Sequence, residues 1–269
     1  MAEQEIVDAE IVEETPATEE SKGPLQVAVI GQDDDPLTIA TAKAFNVPRG
    51  VEVSMYTTED LDALVEAKPN IVFYCEEIPV KKNDSLDDGD FIAAIQKLIR
   101  IAGAGVCIRS TLNVEAFERL IMSLTKQVFD NKIVYMPDLT DSSNVEDIIS
   151  SPVHLIGGTG EALQQHMSVL GNMSWFSARE LVSGSVPEII YTKLAATGYR
   201  MVQAKFFNEL YDAVMDIKNA NPMLVSRQVQ KVLGVCAVPS QISDTMVYDG
   251  RIFAGATDKL TLIESCLGD

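Results

Sequence analysis

Short runs of apolar, mostly β-branched residues recur through the first two thirds of the chain, and helical patterns separate them. A strand buried on both faces of a sheet reads as a continuous apolar run, as in VAVI and IVFY. Their alternation with helices predicts a doubly wound α/β fold with a parallel sheet. The predicted strands are Val27–Ile30, Val51–Met55, Ile71–Tyr74, Gly105–Ile108, Lys132–Met136 and His154–Gly157. The predicted helices are Pro36–Phe45, Asp60–Ala67, Asp88–Ala102, Val114–Lys126 and Gly160–Leu170.

From about Val186 the pattern becomes helical throughout. It predicts one long helix over Pro187–Ala220, a second over Pro222–Leu233 and a final one over Asp258–Leu267. Apolar residues recur along the long helix at spacings of three to seven, which predicts one apolar stripe that faces a core or a second copy of the chain. These residues are Leu194, Met201, Phe206, Leu210, Val214 and Ile217.

The chain is strongly acidic, and the acid is concentrated at its beginning. The net charge is −19 over 269 residues, of which 46% are hydrophobic, enough for one large core or two modest ones. The first 24 residues hold eight acidic side chains against Lys22. Such a segment cannot bury enough apolar surface to offset its ordering entropy, so residues 1–24 are predicted to form a disordered tail. It would act as a solubilising arm or dock a protein partner.

The same composition bears on partners and location. Nucleic acid is excluded as a partner, because binding a phosphate backbone needs clustered Lys and Arg. The sequence shows no apolar run of membrane-spanning length and no secretory signal, which predicts a cytoplasmic protein with no membrane partner. The four cysteines lack CxxC spacing and neither histidine is near one, so we expect reduced thiols and no metal site.

The stretch Ile190–Leu210, IYTKLAATGYRMVQAKFFNEL, resembles the long central helix of the UDP-glucose/GDP-mannose (nucleotide-sugar) dehydrogenases. That family has a catalytic lysine, small residues, an asparagine and then an amphipathic run that ends in Asn-Glu. Aligned on Asn208 and Glu209, Lys193 takes the place of the lysine and Thr197 that of the asparagine. In the family this helix joins two domains and forms the dimer. The resemblance therefore implies a homodimer through the 187–233 helices.

Further landmarks follow in the family's order, so the resemblance spans residues 25–259. LQVAVIG at Leu25–Gly31 resembles the first strand and glycine of the NAD fold, and RSTL at Arg109–Leu112 resembles the strand end beside the nicotinamide. Tyr135–Gly158 follows the pattern YSPEFLREGNAxEDFxxPxRxVIGG, with Asp138 in place of a glutamate. The resemblance implies a Rossmann-like domain over 25–186 and a helical dimerisation domain over 187–269. The family's third, sugar-nucleotide-binding domain would follow Asp269, where this sequence stops, and we expect a protein without it.

The loop after the first strand departs from the NAD-binding pattern. Dinucleotide loops carry three glycines between the first strand and helix, but GQDDDPLTIA keeps only Gly31 and adds three aspartates. One aspartate is predicted to cap the next helix ahead of Pro36; a magnesium ion held by the carboxylates is the alternative. The resemblance implies NAD, with Gly31, Thr57 and Ser110 as cofactor-binding positions. We expect NAD to bind weakly or not at all.

The catalytic groups are also incomplete. The family needs a cysteine in a GFGGxCFPKD loop as a covalent nucleophile, whereas Asp249–Lys259, DGRIFAGATDK, resembles the approach to that loop and lacks the cysteine. Cys236 and Cys266 are interpreted as structural thiols. Lys193, Asp138 and Thr111 remain as candidate catalytic residues, although Lys193 can instead reach solvent or pair with a carboxylate, and Asp138 can cap a turn.

Three functional hypotheses follow. The first is a dimeric scaffold or interaction protein that keeps the dehydrogenase fold without its chemistry; one setting for it is a virus that reuses an enzyme fold as a structural part. The second is an active NAD-dependent UDP- or GDP-sugar dehydrogenase. The third is a sensor that binds a nucleotide sugar without turnover.

Overall fold

The computed structural model describes residues 24–44, 50–101, 104–125, 132–140, 144–171, 180–234, 243–255 and 261–267. Within these ranges, seven strands form one sheet in the order β2-β1-β3-β4-β5-β6-β7. The strands are β1 Leu25–Ile30, β2 Val51–Tyr56, β3 Ile71–Tyr74, β4 Gly105–Ile108, β5 Ile133–Tyr135, β6 Val153–Gly157 and β7 Glu180–Gly184. The helices are α1 Pro36–Ala44, α2 Leu61–Ala67, α3 Gly89–Leu98, α4 Val114–Ser123, α5 Val145–Ser150, α6 Gly160–Leu170, α7 Val186–Met215, α8 Pro222–Leu233, α9 Asp244–Gly255 and α10 Thr261–Leu267.

The sheet is parallel from β2 to β5, as the apolar runs predict, and every residue of β3 and β4 is buried. The reversal comes at β6, which meets β5 in antiparallel register with Tyr135 opposite Gly157. Strand β7 then pairs with β6 in parallel, with Gly184 beside Gly157. The predicted Rossmann-like α/β class is confirmed, and all six predicted strands are present within two residues of their predicted ends.

The long helix α7 begins at a capping box. The Ser185 side chain faces the first turn, and the Glu188 carboxylate accepts hydrogen bonds from the Ser185 backbone amide and hydroxyl, both at 2.8 Å. The helix ends at Met215, five residues before the predicted end at Ala220. The polar segment that follows forms turns, with Asn219 in the left-handed region at φ 65°, and Pro222 starts α8.

One apolar core runs from the sheet into the helical part of the chain. It joins Val72 and Tyr135 of the sheet to Ile190 of α7, Phe253 of α9 and Ile263 of α10. The predicted boundary between a domain at 25–186 and a domain at 187–269 stays a prediction, because α7 packs against both parts. Of the predicted tail at 1–24, all but Pro24 lies outside the described residues. Among the described helices, none is long and apolar enough to cross a membrane.

Candidate functional site

A cleft of about 270 Å³ opens where β3, β4 and β5 end, the edge of a parallel sheet at which ligands bind in this architecture. Four residues predicted for the site line it: Ser110, Thr111, Asp138 and Lys193. Gly31 and Thr57 are not among its lining residues. The structure thus brings together the three catalytic candidates and one of the three cofactor-binding candidates.

Lys193 forms an ion pair that the sequence did not assign. Its Nζ lies 2.7 Å from Oδ2 of Asp249, and the two side chains are 3% and 0% exposed. Asp249 also accepts hydrogen bonds from the hydroxyls of Thr111, at 3.0 Å, and Thr197, at 3.1 Å. The carboxylate thereby ties the end of β4 to α7 and α9. Of the roles open to Lys193, the structure shows pairing with a carboxylate.

Asp138 lines the cleft but is engaged with its own loop. Its Oδ2 accepts hydrogen bonds from the backbone amide of Thr140, at 3.1 Å, and from the Thr140 hydroxyl. This i to i+2 arrangement is the turn-capping contact common for aspartate. The Asp138 carboxylate therefore stabilises the loop after β5.

The amino end of α1 is closed by Asp35. Its Oδ2 accepts from the backbone amide of Thr38 at 2.7 Å and from the Thr38 hydroxyl at 2.6 Å, and Pro36 is the first residue of the helix. The predicted capping role is confirmed and belongs to Asp35, while Asp33 and Asp34 are exposed. The Thr38 hydroxyl would lie 2.0 Å from a Cβ added at Gly31, so a glycine is required there. The Thr38 side chain, which is hydrogen-bonded to Asp35, therefore packs directly against Gly31 in this tight turn.

Thr57 caps the short 3₁₀ turn that follows β2. Its amide and hydroxyl donate to Oδ2 of Asp60 at 3.3 Å and 2.8 Å. The predicted ribose-binding position is therefore held by a local capping box.

The described thiols are buried. Cys75 lines the cleft 3.6 Å from the Thr41 hydroxyl, and burial raises its pKa to about 11 although Arg109 opposes the shift. Cys266 packs with Met201 and Met246, as predicted for a structural thiol; Cys236 lies outside the described residues. Because the thiolate is the nucleophile, this shift disfavours Cys75 as a nucleophile at neutral pH.

Two glutamates follow β3 at the cleft. Glu77 lines it, and its pKa is raised by partial burial and by the carboxylates of Asp35 and Asp249. Glu76 receives a hydrogen bond from the Gln32 side chain at 2.8 Å. The loop after β3 therefore places the Glu77 carboxyl in the cleft beside Asp35 and Asp249.

Sequence reasoning missed Asp249 as a site residue, as well as the cleft contributions of Glu77, Thr245 and Tyr248. One signal for Asp249 was present. A lysine on an apolar helix face needs a buried partner when it does not reach solvent, and Asp249 stands in an apolar segment of its own. The sequence offers no rule that pairs two residues so far apart.

No family model matches the sequence, and no curated protein sequence is significantly similar to it. Solved structures do resemble the fold. The UDP-D-ManNAc dehydrogenase of Pyrococcus horikoshii superposes with a TM-score of 0.71 at 16% identity, over 90% of this chain and 67% of that chain. The UDP-glucose dehydrogenase of Pyrobaculum islandicum gives 0.67 at 15% identity, over 92% and 68%.

The same architecture extends to another dehydrogenase. The 3-hydroxyisobutyrate dehydrogenase of Mycobacterium tuberculosis has a TM-score of 0.62 at 14% identity and is covered over 91% of both chains. The predicted likeness to nucleotide-sugar dehydrogenases is confirmed at the level of the fold. At these identities the likeness defines a dehydrogenase-like fold and leaves the chemistry to the site.

Proposed function

We propose that this chain is a dehydrogenase-fold protein without dehydrogenase activity, which acts as a homodimeric scaffold. The observation that carries the proposal is the closed amino end of α1. In dinucleotide folds this end receives the pyrophosphate through its free amides. Here the carboxylate of Asp35 occupies the Thr38 amide.

Electrostatics supports the same conclusion. Two like charges 4 Å apart repel by about 1 kcal/mol in water and about 4 kcal/mol near a protein surface. A pyrophosphate at this position would face Asp35. Asp33 and Asp34 are adjacent in sequence, and Glu77 lines the same cleft as Asp35. The residues present do not fit NAD, the cofactor that the resemblance implies.

The catalytic groups support loss of turnover as well. The Lys193 ammonium is neutralised by Asp249, and Thr197 takes the position at which the resemblance places an asparagine. The thiol in the cleft, Cys75, has a raised pKa and so lacks the thiolate that covalent catalysis needs.

The outward face of α7 supports a dimer. Tyr199 and Phe206 are each at least half exposed on α7, and Leu210 and Ala213 follow them on the same helix. The spacings along the helix from Tyr199 are seven, four and three residues, which fit a helix that packs along a second helix. We call this set the α7 stripe. Exposed apolar patches of this kind mark interaction sites, and we assign this one to a second copy of the chain.

One observation favours a second candidate. Thr111, Asp138 and Lys193 do line a single cleft, as an active UDP- or GDP-sugar dehydrogenase or a non-catalytic sugar-nucleotide sensor would need. The sensor differs from the enzyme in having no turnover, and from the scaffold in being thermally stabilised by its ligand.

Titration calorimetry with NAD, with and without magnesium, tests the proposal, alongside sedimentation of the protein and an assay for NADH formation from UDP-glucose. We expect no heat up to millimolar NAD, no NADH and a dimer. The matched variant carries Asp33→Asn, Asp34→Asn and Asp35→Ser, which removes three charges and keeps a capping hydroxyl; it should bind NAD more tightly than the natural chain. Micromolar NAD affinity in the natural chain would contradict the proposal.

A further inference from the structure

The segment between β3 and α3 folds back on itself against the helical part of the chain. Val80 and Leu86 form an antiparallel bridge, and the amides of Lys81 and Asp87 donate to Ser85 O and Pro79 O at 2.8 Å and 2.7 Å. We call residues 79–87 the β3–α3 hairpin.

Helix α9 contacts this hairpin and the residue just before it. Arg251 Nε lies 2.7 Å from Oδ1 of Asp84 at the hairpin tip, and Arg251 Nη2 donates to Lys81 O at 3.2 Å. The Tyr248 hydroxyl donates to Ile78 O at 2.7 Å, just before the hairpin. A Cβ added at Gly255 would lie 2.5 Å from Asp84 O, so the tip packs directly on the helix end.

The same turn of α9 carries Asp249, the ion-pair partner of Lys193 on α7. Asp249 follows Tyr248 in sequence, stands two residues before Arg251 and pairs with Lys193. Adjacent residues of a helix move together because its backbone hydrogen bonds make it a rigid element. A displacement of α9 from the hairpin therefore also displaces the Asp249 carboxylate from Lys193.

The two ion pairs on α9 differ in their access to solvent. The side chains of Arg251 and Asp84 are 39% and 38% exposed, whereas those of Lys193 and Asp249 are 3% and 0% exposed. Salt screens exposed pairs strongly and buried pairs much less. Of the two ion pairs, the Arg251–Asp84 pair is therefore the one that salt weakens more.

We propose that the β3–α3 hairpin is a strap that seats α9 and keeps Lys193 paired and hidden. Release of Arg251 from Asp84 lets α9 lift and exposes the lysine ammonium to the cleft. Glu77, which precedes the strap, lines both the cleft and a neighbouring pocket of about 470 Å³ that Pro79 and Asp87 also line.

Lysine labelling tests the strap. Amines are methylated with formaldehyde and cyanoborohydride, and the rate at Lys193 is read from peptides by mass spectrometry. An exposed pair contributes at most about 1 kcal/mol, so Asp84→Asn and Arg251→Gln should each raise the Lys193 rate by about two- to fivefold. The control is Lys81→Gln, which removes the Lys81–Asp87 pair within the hairpin, 3.2 Å long, and keeps the Arg251 contacts; it should leave the rate unchanged.

A salt series on the natural chain provides a second measurement that needs no variant. Lys193 labelling should rise between low and high ionic strength, with faster deuterium exchange in residues 79–87, and the rise should be absent in Asp84→Asn. Lys193 labelling that stays constant in both variants and across the salt series would overturn the proposal. Neither readout depends on cofactor binding or on dimerisation, so failure of the scaffold proposal would appear separately.

Discussion

Lys193 and Asp249 meet at 2.7 Å in a part of the molecule from which solvent is almost fully excluded. Removing two charges from water costs several kcal/mol per ion, which their attraction offsets only when the remaining polar atoms are also satisfied. The hydroxyls of Thr111 and Thr197 supply this second requirement on the carboxylate side. The pair therefore fixes how α9 sits on α7 and on the end of β4.

Neutralising Asp249 alone should destabilise the protein severely. Asp249→Asn leaves a buried ammonium without its counter-charge, and we expect a loss of about 3–5 kcal/mol in the free energy of unfolding. The double variant Lys193→Met/Asp249→Asn removes both charges. Its amide oxygen still accepts from one threonine hydroxyl and its NH2 group donates to the other, so it should recover most of that loss. Urea unfolding of the two single variants and the double variant measures the coupling, and strictly additive losses would contradict it.

Substitutions on opposite faces of α7 should separate the core from the dimer. Phe206→Asp places a charge on the exposed stripe and should yield a folded monomer. Met201 is 0% exposed, so Met201→Asp should unfold the protein instead, with a loss above about 3 kcal/mol. Leu210→Asp, on the stripe, should behave like Phe206→Asp.

Sedimentation and circular dichroism distinguish these outcomes. Asp212→Ala serves as the control, because Asp212 is exposed on α7 away from the stripe. If the Phe206→Asp protein remains a dimer, the α7 stripe is not the dimer interface.

The cap on α1 should depend on one aspartate of the three. Asp35→Ala removes the acceptor of the Thr38 amide and should cost about 1 kcal/mol, whereas Asp35→Ser should restore most of it. Asp33→Ala and Asp34→Ala, on exposed side chains, should lie within about 0.5 kcal/mol of the natural chain. Thermal and urea unfolding rank the four variants; equal losses at all three positions would show that the cap is not specific to Asp35.

His166 should make the protein less stable in mild acid. Burial lowers the pKa of its imidazole below the ordinary 6.5, against the opposing hydrogen bond to Ala162 O at 2.7 Å. The neutral form is thus favoured by folding, and its contribution is complete above pH 6.5. As the pH falls below 6.5 the unfolded chain takes up the proton first, and stability drops by up to about 1.4 kcal/mol per pH unit until the folded pKa is reached.

Urea unfolding between pH 8 and pH 5 measures this slope. His166→Asn, which can keep a donor toward Ala162 O, should remove the part of the slope that belongs to His166. Identical slopes in the two proteins would contradict the assignment.

The strands of the sheet were predictable where both faces are buried, because such strands consist of consecutive apolar residues. Strands β3 and β4 are buried at every position and read as apolar runs, so the sequence located their ends to the residue. Strand β7 escaped prediction because most of ELVSG is exposed, and pairing with β6 holds it in place. Helices α5 and α9 were also missed: α5 has only six residues, and α9 carries two glycines, which are poor helix formers.

The sequence predicted several residues of the site, but not which side chains they contact. Local pattern placed an aspartate at the start of α1, but the choice of Asp35 over its neighbours depends on the position of Thr38 in three dimensions. Lys193 was visible as a charge on an apolar face. Its partner is 56 residues away on another helix, and such a pairing arises from packing, which no local rule encodes.

The reversal of strand direction at β6 sets where Lys193 can lie. Tyr135, Gly157 and Gly184 form one row across the sheet, and α7 begins two residues beyond that row. Seven residues separate Val186 from Lys193, close to two helical turns, so the lysine stands about 10 Å further along on the same face. The number of residues between the sheet and Lys193 therefore determines where the ammonium lies. One residue inserted into α7 before Lys193 would rotate this side chain by about 100° around the helix axis and move it away from Asp249.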